Sequence, residues 1–342
     1  MVVQLLSSAA AAVRPMTSRS AGPTDTTLPK SRLPKSRQER ACCISAIPAA
    51  NITESMIPIA LSSLVPRRAA SQALMPPYCQ ERASMSLFSA VAMAPRDPIL
   101  GLTEAFNADG NPSKVNLGVG IYYDESGKVP LLECVRKAES ELAANPPARA
   151  YLPIDGIVAY DNAVKGLVFG PDSDVVKSGR VSTVQAIGGT GGLKIGADFL
   201  KKLLPTAKVL ISDPSWENHR ALFANAGFQV DTYAYYDAEK RGVNFDGMLA
   251  SLNAAAAGTI VVLHACCHNP TGYDITAAQW DQVIAAVKAN NLTAFLDMAY
   301  QGFGHGIAED GAVIQKFVAA GLNFFVSTSF SKSFSLYGER VG

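Results

Sequence analysis

The chain has 342 residues, 48% hydrophobic and 17% charged, with a formal net charge of +1 at pH 7. That length allows two domains and a large core, and so small a charge offers no electrostatic case for nucleic acid as a partner. No apolar run approaches the roughly 18 residues of a membrane helix, and the six cysteines, four of them in the adjacent pairs Cys42–Cys43 and Cys266–Cys267, make neither a CxxC site nor a disulfide framework in a chain of this size.

Residues 1–84 carry ten Lys/Arg against four Asp/Glu, with many Ser, Ala and Pro. Such a stretch buries little apolar surface and is expected to be disordered. Two readings fit it: an Arg- and Ser-rich mitochondrial transit peptide, or upstream sequence translated from too early a start. The second is favoured, because Met85-Ser-Leu-Phe opens directly into patterned sequence; with reduced cysteines it points to the cytoplasm. Residues 85–130 show no alternation of strand and helix and are expected to form an N-terminal arm and part of a small domain. Residues 131–342 are expected to form the large domain.

From Val181 the pattern becomes regular. Val181–Ile187 reads as a strand, Gly188–Gly192 as a glycine-rich turn and Leu193–Leu204 as a helix. Strands follow at Lys208–Ser212, Phe228–Tyr235, Thr259–His264, Leu292–Asp297 and Leu322–Thr328. Helices alternate with them at Trp216–Ala226, Phe245–Leu252, Ala277–Asn290 and Ala312–Ala320. The alternation predicts an α/β fold with a mostly parallel sheet covered on both faces.

Ligands of open α/β sheets bind outside the carboxyl ends of the strands, and the polar clusters fall there. Gly188-Gly-Thr190-Gly-Gly192 joins a strand end to a helix start, where bare amides and the helix N-terminus favour an anion; a tight turn needing glycine fits equally. The loop is not GxGxxG, which counts against a nicotinamide dehydrogenase. Asp297 closes an apolar strand in Phe-Leu-Asp-Met-Ala-Tyr and must be paired if buried. A protonated ring nitrogen suits it, and Tyr300 can donate to a phenolic oxygen of the same ligand; a helix cap is the alternative. His264-Ala-Cys-Cys-His268-Asn269-Pro-Thr-Gly272 ends another strand. Adjacent cysteines give poor tetrahedral spacing, so no metal is expected, and Asn269 can offer its amide to a ligand oxygen. In Asp213-Pro-Ser-Trp216-Glu-Asn-His219, Trp216 can stack on a planar ring and His219 can orient a carboxylate such as Asp297, though a core role suits either. Lys332 follows the last strand among Ser327, Thr328, Ser329 and Ser331, with Arg340 eight residues on. It suits phosphate binding, a Schiff base with a carbonyl, or a solvated loop.

Ser329-Phe-Ser-Lys-x3-Leu-Tyr-x-Glu-Arg-x-Gly342 and Cys-Cys-His-Asn-Pro-Thr-Gly together resemble the class I (fold-type I) pyridoxal-phosphate aminotransferases, specifically the proteobacterial aspartate and aromatic-amino-acid enzymes, from about Met85 onward. The resemblance implies a three-layer α/β/α large domain and pyridoxal 5'-phosphate as cofactor. It also implies transamination of an L-amino acid (aspartate, tyrosine or phenylalanine) with 2-oxoglutarate through a Schiff base on Lys332. Asp297 would pair with the ring nitrogen, Tyr300 and Asn269 with the phenolic oxygen, and Trp216 would stack on the ring. Gly189, Thr190, Ser329, Ser331 and Arg340 would hold the phosphate. Tyr151, in Tyr-Leu-Pro-Ile-Asp-Gly, would reach the phosphate of a neighbouring subunit, implying a homodimer. Gly120 would bring its backbone to the substrate carboxylate, beside Trp216 and Asn269. Relatives of this kind continue well beyond Gly342 with much of the small domain and two substrate-gripping arginines. The small domain is therefore expected to be incomplete, and a cofactor-binding, inactive fragment is the alternative function.

Overall fold

The computed structural model describes residues 88–93, 98–116, 118 and 120–342. The readings made for the leader 1–84 and for the start at Met85 lie outside the described residues. Residues 99–342 belong to one compact unit. Of the unit spanning 17–98, the described part includes a turn at Phe88–Ala90, where the Val91 N–H donates to the Phe88 carbonyl at 3.0 Å.

Five strands, β1 (Lys208–Asp213), β2 (Gln229–Ala234), β5 (Ile260–His264), β6 (Thr293–Met298) and β7 (Phe325–Thr328), form a wholly parallel sheet in the order β2-β1-β5-β6-β7. A short antiparallel hairpin, β3 (Tyr236–Asp237) and β4 (Gly242–Val243), stands apart from it. Around the strands lie α1 (Pro98–Ala108), α2 (Glu133–Ala144), α3 (Val158–Phe169), α4 (Asp174–Lys177), α5 (Gly188–Leu203), α6 (Glu217–Asn225), α7 (Phe245–Ala254), α8 (Ala277–Ala289) and α9 (Ile307–Ala319). Among the described residues no helix is long and apolar enough to cross a membrane.

The continuous apolar runs of β5 and β6 follow from burial on both faces. Successive strand residues point to opposite sides. Val261, Leu263, Ala294 and Leu296 pack with Met248 and Leu252 of α7, Val283 and Val287 of α8, and Ile314 and Phe317 of α9. Their neighbours Ile260, Val262 and Phe295 pack with Leu193, Ala197 and Leu200 of α5 and Phe223 of α6. Each such fully buried side chain contributes about 2 kcal/mol. Truncating Phe295 to alanine, which faces α5, would cost about 3–5 kcal/mol. Helix α8 starts where Thr276 accepts the Gln279 N–H and the Gln279 side chain accepts the Thr276 N–H, a reciprocal cap.

Three expectations need correction. Val181–Ile187 is not a strand: Gln185 donates to the Asp155 carbonyl, Ala186 to the Gly342 carbonyl, and Ile187 makes one isolated antiparallel bridge to Val341. Without a neighbouring backbone in register no ladder forms, whatever its β-branched content. Helix α5 begins at Gly188, five residues before the expected Leu193, so Gly188–Gly192 is its first turn. Gly188 takes a positive φ of 74°, whereas Gly192 serves close packing of helix on sheet: a Cβ there would fall 2.7 Å from Ser327 Oγ, and farther along α5 one at Gly196 would fall 2.5 Å from Phe295. Helix α9 begins at Ile307, five residues before the expected Ala312, because Asp310 accepts N–H groups of Gly302, Gly304 and His305 and ties the preceding loop to its first turn. Helix α1 was also not anticipated in residues 98–130.

Candidate active site

Sheet register builds one end of the site. It sets His264 opposite Asp297 and Asp297 opposite Ser327, all at the carboxyl ends of their strands. Asp297 is 5% exposed, and its Oδ2 lies 2.8 Å from Nε2 of His219, which is wholly buried on α6. His219 Nδ1 lies 2.9 Å from Ser215 Oγ. With Asp297 ionised, Nε2 carries the proton and donates to it, and Nδ1 accepts from the serine. Asp297 caps no helix, since the next one starts at Ile307. Trp216, just ahead of α6, meets the His219 ring edge-on at 5.3 Å.

The other end is a loop. After β7 the chain folds back so that Phe330 N–H donates to the Val341 carbonyl, while Phe330, Leu336 and Val341 pack with Val135 and Tyr160. Arg340 donates to the Tyr337 carbonyl at 3.0 Å and to Ser331 Oγ at 3.5 Å. Its guanidinium passes over Gly188, where φ is 74° and a Cβ would meet Nη2 at 2.7 Å; only glycine fits. Ser327 Oγ donates to the Gly189 carbonyl at 2.9 Å, pinning the start of α5 to β7. Lys332 Nζ sits 5.0 Å from the centre of the Tyr300 ring. Burial draws the lysine below its ordinary proton affinity and Arg340 acts in the same direction, against the pull of Asp297. Burial likewise pushes the Tyr300 hydroxyl up, with Asp297 adding to it.

A cavity of about 190 Å³ separates these ends, bordered by Gly189, Thr190, Trp216, Asn269, Asp297, Tyr300, Ser329, Ser331, Lys332 and Arg340. His219 stands behind Asp297. Gly120 does not border the cavity but lies against Tyr300, which does: a Cβ there would lie 3.2 Å from Tyr300 Oη. Tyr151 is not in the cavity and is fully exposed.

Four wall residues were given no site role by the sequence reading, Leu193, His264, Cys266 and Ala299, and two of them are polar or ionisable, His264 and Cys266. Both nitrogens of His264 are buried without a hydrogen-bond partner, and its ring lies 4.9 Å from His219 and 4.3 Å from His268. Burial, then those two histidines, hold it far below the usual imidazole range. Its place as the last residue of β5 was the available signal. His268 turns from the cysteines to Ser212 Oγ and Thr271 Oγ1, each at 2.8 Å, and stacks on Tyr235. Burial lowers it to about 3.

These groups suit a planar, anionic ligand that offers a ring nitrogen at one end, a phosphate at the other and an electrophilic carbon near Lys332. The chain is 64% identical over 259 residues to the aspartate aminotransferase of Pseudomonas aeruginosa and 52% identical over 257 residues to the aromatic-amino-acid aminotransferase of Escherichia coli. Each alignment covers 75% of this chain and 65% of the relative. The solved aromatic-amino-acid aminotransferase of Burkholderia pseudomallei, covalently bound to pyridoxal phosphate, is 67% identical with a TM-score of 0.74, over 75% of this chain and 65% of that one. The chain thus spans 65% of the length of these relatives. The family described as aminotransferase class I and II matches residues 112–342, and the chain belongs to that family.

Proposed function

We propose that this chain is the cofactor-binding part of an aminotransferase that moves the amino group of an L-amino acid, aspartate or an aromatic one, to 2-oxoglutarate, with pyridoxal 5'-phosphate as cofactor. The observation that carries the proposal is one cavity with a histidine-locked carboxylate at one end and a buried lysine, hydroxyls and an arginine at the other. The donor set fits the cofactor group by group.

Asp297, held by His219, would pair with the ring nitrogen. Asn269 and Tyr300 would bond the phenolic oxygen, and Trp216 would cover one ring face. The phosphate takes the Gly189 and Thr190 end of α5, the hydroxyls of Ser329 and Ser331, and Arg340, whose fork matches its oxygens. The cofactor, when bound, supplies an electron sink for the pair released at the substrate's Cα. Lys332 would hold the cofactor through Nζ, and as a free amine it would be the base that takes up and returns the proton at the substrate's Cα. Its lowered proton affinity makes the neutral amine available nearer to neutrality than an ordinary lysine would allow. Gly120 keeps space open beside Tyr300 for the substrate carboxylate. The exposure of Tyr151 supports a role across a homodimer interface, completing the partner's phosphate site. A cytoplasmic location goes with this reading.

The test is to add pyridoxal 5'-phosphate, reduce with borohydride and map the modified peptide, then follow the cofactor spectrum after aspartate, tyrosine and phenylalanine. Labelling at Lys332 and conversion by at least one amino acid are expected. Labelling elsewhere, or none, overturns the proposal.

A further inference from the structure

The loop after β5 carries two thiols that no step above uses. Side chains of consecutive residues in extended chain point apart. Cys267, however, has φ of 50°, a left-handed conformation that costs a residue other than glycine about 1 kcal/mol. Asp274 anchors the turn: its Oδ2 accepts the Cys267 N–H at 2.6 Å and its Oδ1 the His268 N–H at 2.8 Å. As a result both Sγ atoms lie within 4.8 Å of each other and of an Asp310 carboxylate oxygen. Cys266 borders the cavity, and Cys267 is half-buried with its Sγ 4.0 Å from the Tyr300 carbonyl. The pair is unequal. The bond from Cys266 draws the Cys267 thiol below its usual range, while that bond and burial push Cys266 up.

Among the described residues Cys266, Cys267 and Asp310 make a group of three possible ligand atoms, one short of the four protein ligands of a structural tetrahedral site, and Asp310 also serves the loop by accepting three backbone N–H groups. Two close thiols suit a centre that needs two thiolates. We propose that Cys266 and Cys267 form a dithiol site for trivalent arsenicals on the cavity wall, independent of the aminotransferase reading. The Cys267 thiolate attacks arsenic in an arsenoxide, opening As=O to As–OH, and the Cys266 sulfur displaces that hydroxyl. Two As–S bonds form, the oxygen leaves as one water with both thiol protons, and no atom changes oxidation state.

The experiment uses the 342-residue chain with Cys42→Ser and Cys43→Ser, which removes the other adjacent pair, treated with phenylarsine oxide and read by intact mass and peptide mapping. One phenylarsenic group is expected on the peptide containing Cys266 and Cys267, stable to excess glutathione and removed by 2,3-dimercaptopropanol. Cys266→Ser or Cys267→Ser alone should abolish the glutathione-stable adduct, and Cys79→Ser or Cys134→Ser should leave it. Asp274→Ala keeps both thiols but frees the turn, and should raise the half-saturating concentration about tenfold. No adduct on that peptide, an adduct that glutathione strips or that survives either single serine, or unchanged capture by Asp274→Ala overturns the proposal.

Discussion

The two ends of the cavity are built differently. Asp297, His219 and Ser215 form a chain of bonds no longer than 2.9 Å, on the interior strand β6, a helix and the loop before it, with Asp297 and His219 buried. Lys332 and Arg340 sit on one loop, where Arg340 itself has φ of 58° and reaches Ser331 at only 3.5 Å. A strand end set by register is rigid before any ligand arrives. The arginine loop is tied by its own backbone bonds, but the Arg340 guanidinium itself bonds only the Tyr337 carbonyl at 3.0 Å and Ser331 at 3.5 Å, and would gain most from an anion. Changes at the carboxylate end should therefore alter chemistry, and changes at the arginine should alter affinity.

The largest effect should come from the lysine. In a full-length relative sharing this site, Lys332→Ala is expected to abolish borohydride-fixed cofactor and to slow amino transfer by at least about 10⁴-fold; normal turnover would break the scheme outright. Asp297→Asn keeps the shape and removes the charge, and should cost about 10²–10³-fold in rate with cofactor still bound. A loss confined to cofactor affinity would mean the two ends do not divide the work this way. Arg340→Lys replaces the fork by a point charge, so cofactor dissociation should rise about tenfold with turnover at saturation nearly kept.

A separate effect, on stability and not on activity, concerns acid. His268 is lowered to about 3 by burial, so between the ordinary histidine value of about 6.5 and about 3 the unfolded chain binds a proton that the folded one refuses. Stability must fall as pH drops through that window, by up to about 1.4 kcal/mol per pH unit for this group, and His264 acts in the same direction. Urea midpoints measured at descending pH should show the fall, and His268→Gln should flatten it. An equal slope in that variant would place the acid sensitivity elsewhere.

Much of the fold was legible because β5 and β6, buried on both faces, are short unbroken apolar runs between helices with clear spacing. The site was legible for a related reason: Asp297, Asn269 and Lys332 are polar residues where such runs end, and only strand ends let them meet a ligand. The glycines at 188–192 could not be sorted from sequence because flexibility and close packing leave the same mark there: Gly188 takes a positive φ, while Gly192 is set by Ser327, more than a hundred residues later. Val181–Ile187 was misread because β-branched content reports a preference and not a partner.

By itself the chain determined the order of its strands and helices from Lys208 onward and the chemistry at their ends, because backbone preference and the two-residue and 3.6-residue periods act among near neighbours. The sequence offered His219 as a partner for Asp297, 78 residues away, and the packed structure realised it; tertiary structure alone decided that His264 stays without a side-chain hydrogen bond between two other histidines, and that Cys266 and Cys267 bring their sulfurs together. Hydrogen-bond partners, close approach and a left-handed turn held by Asp274 depend on groups brought together only when the sheet and its helices have packed.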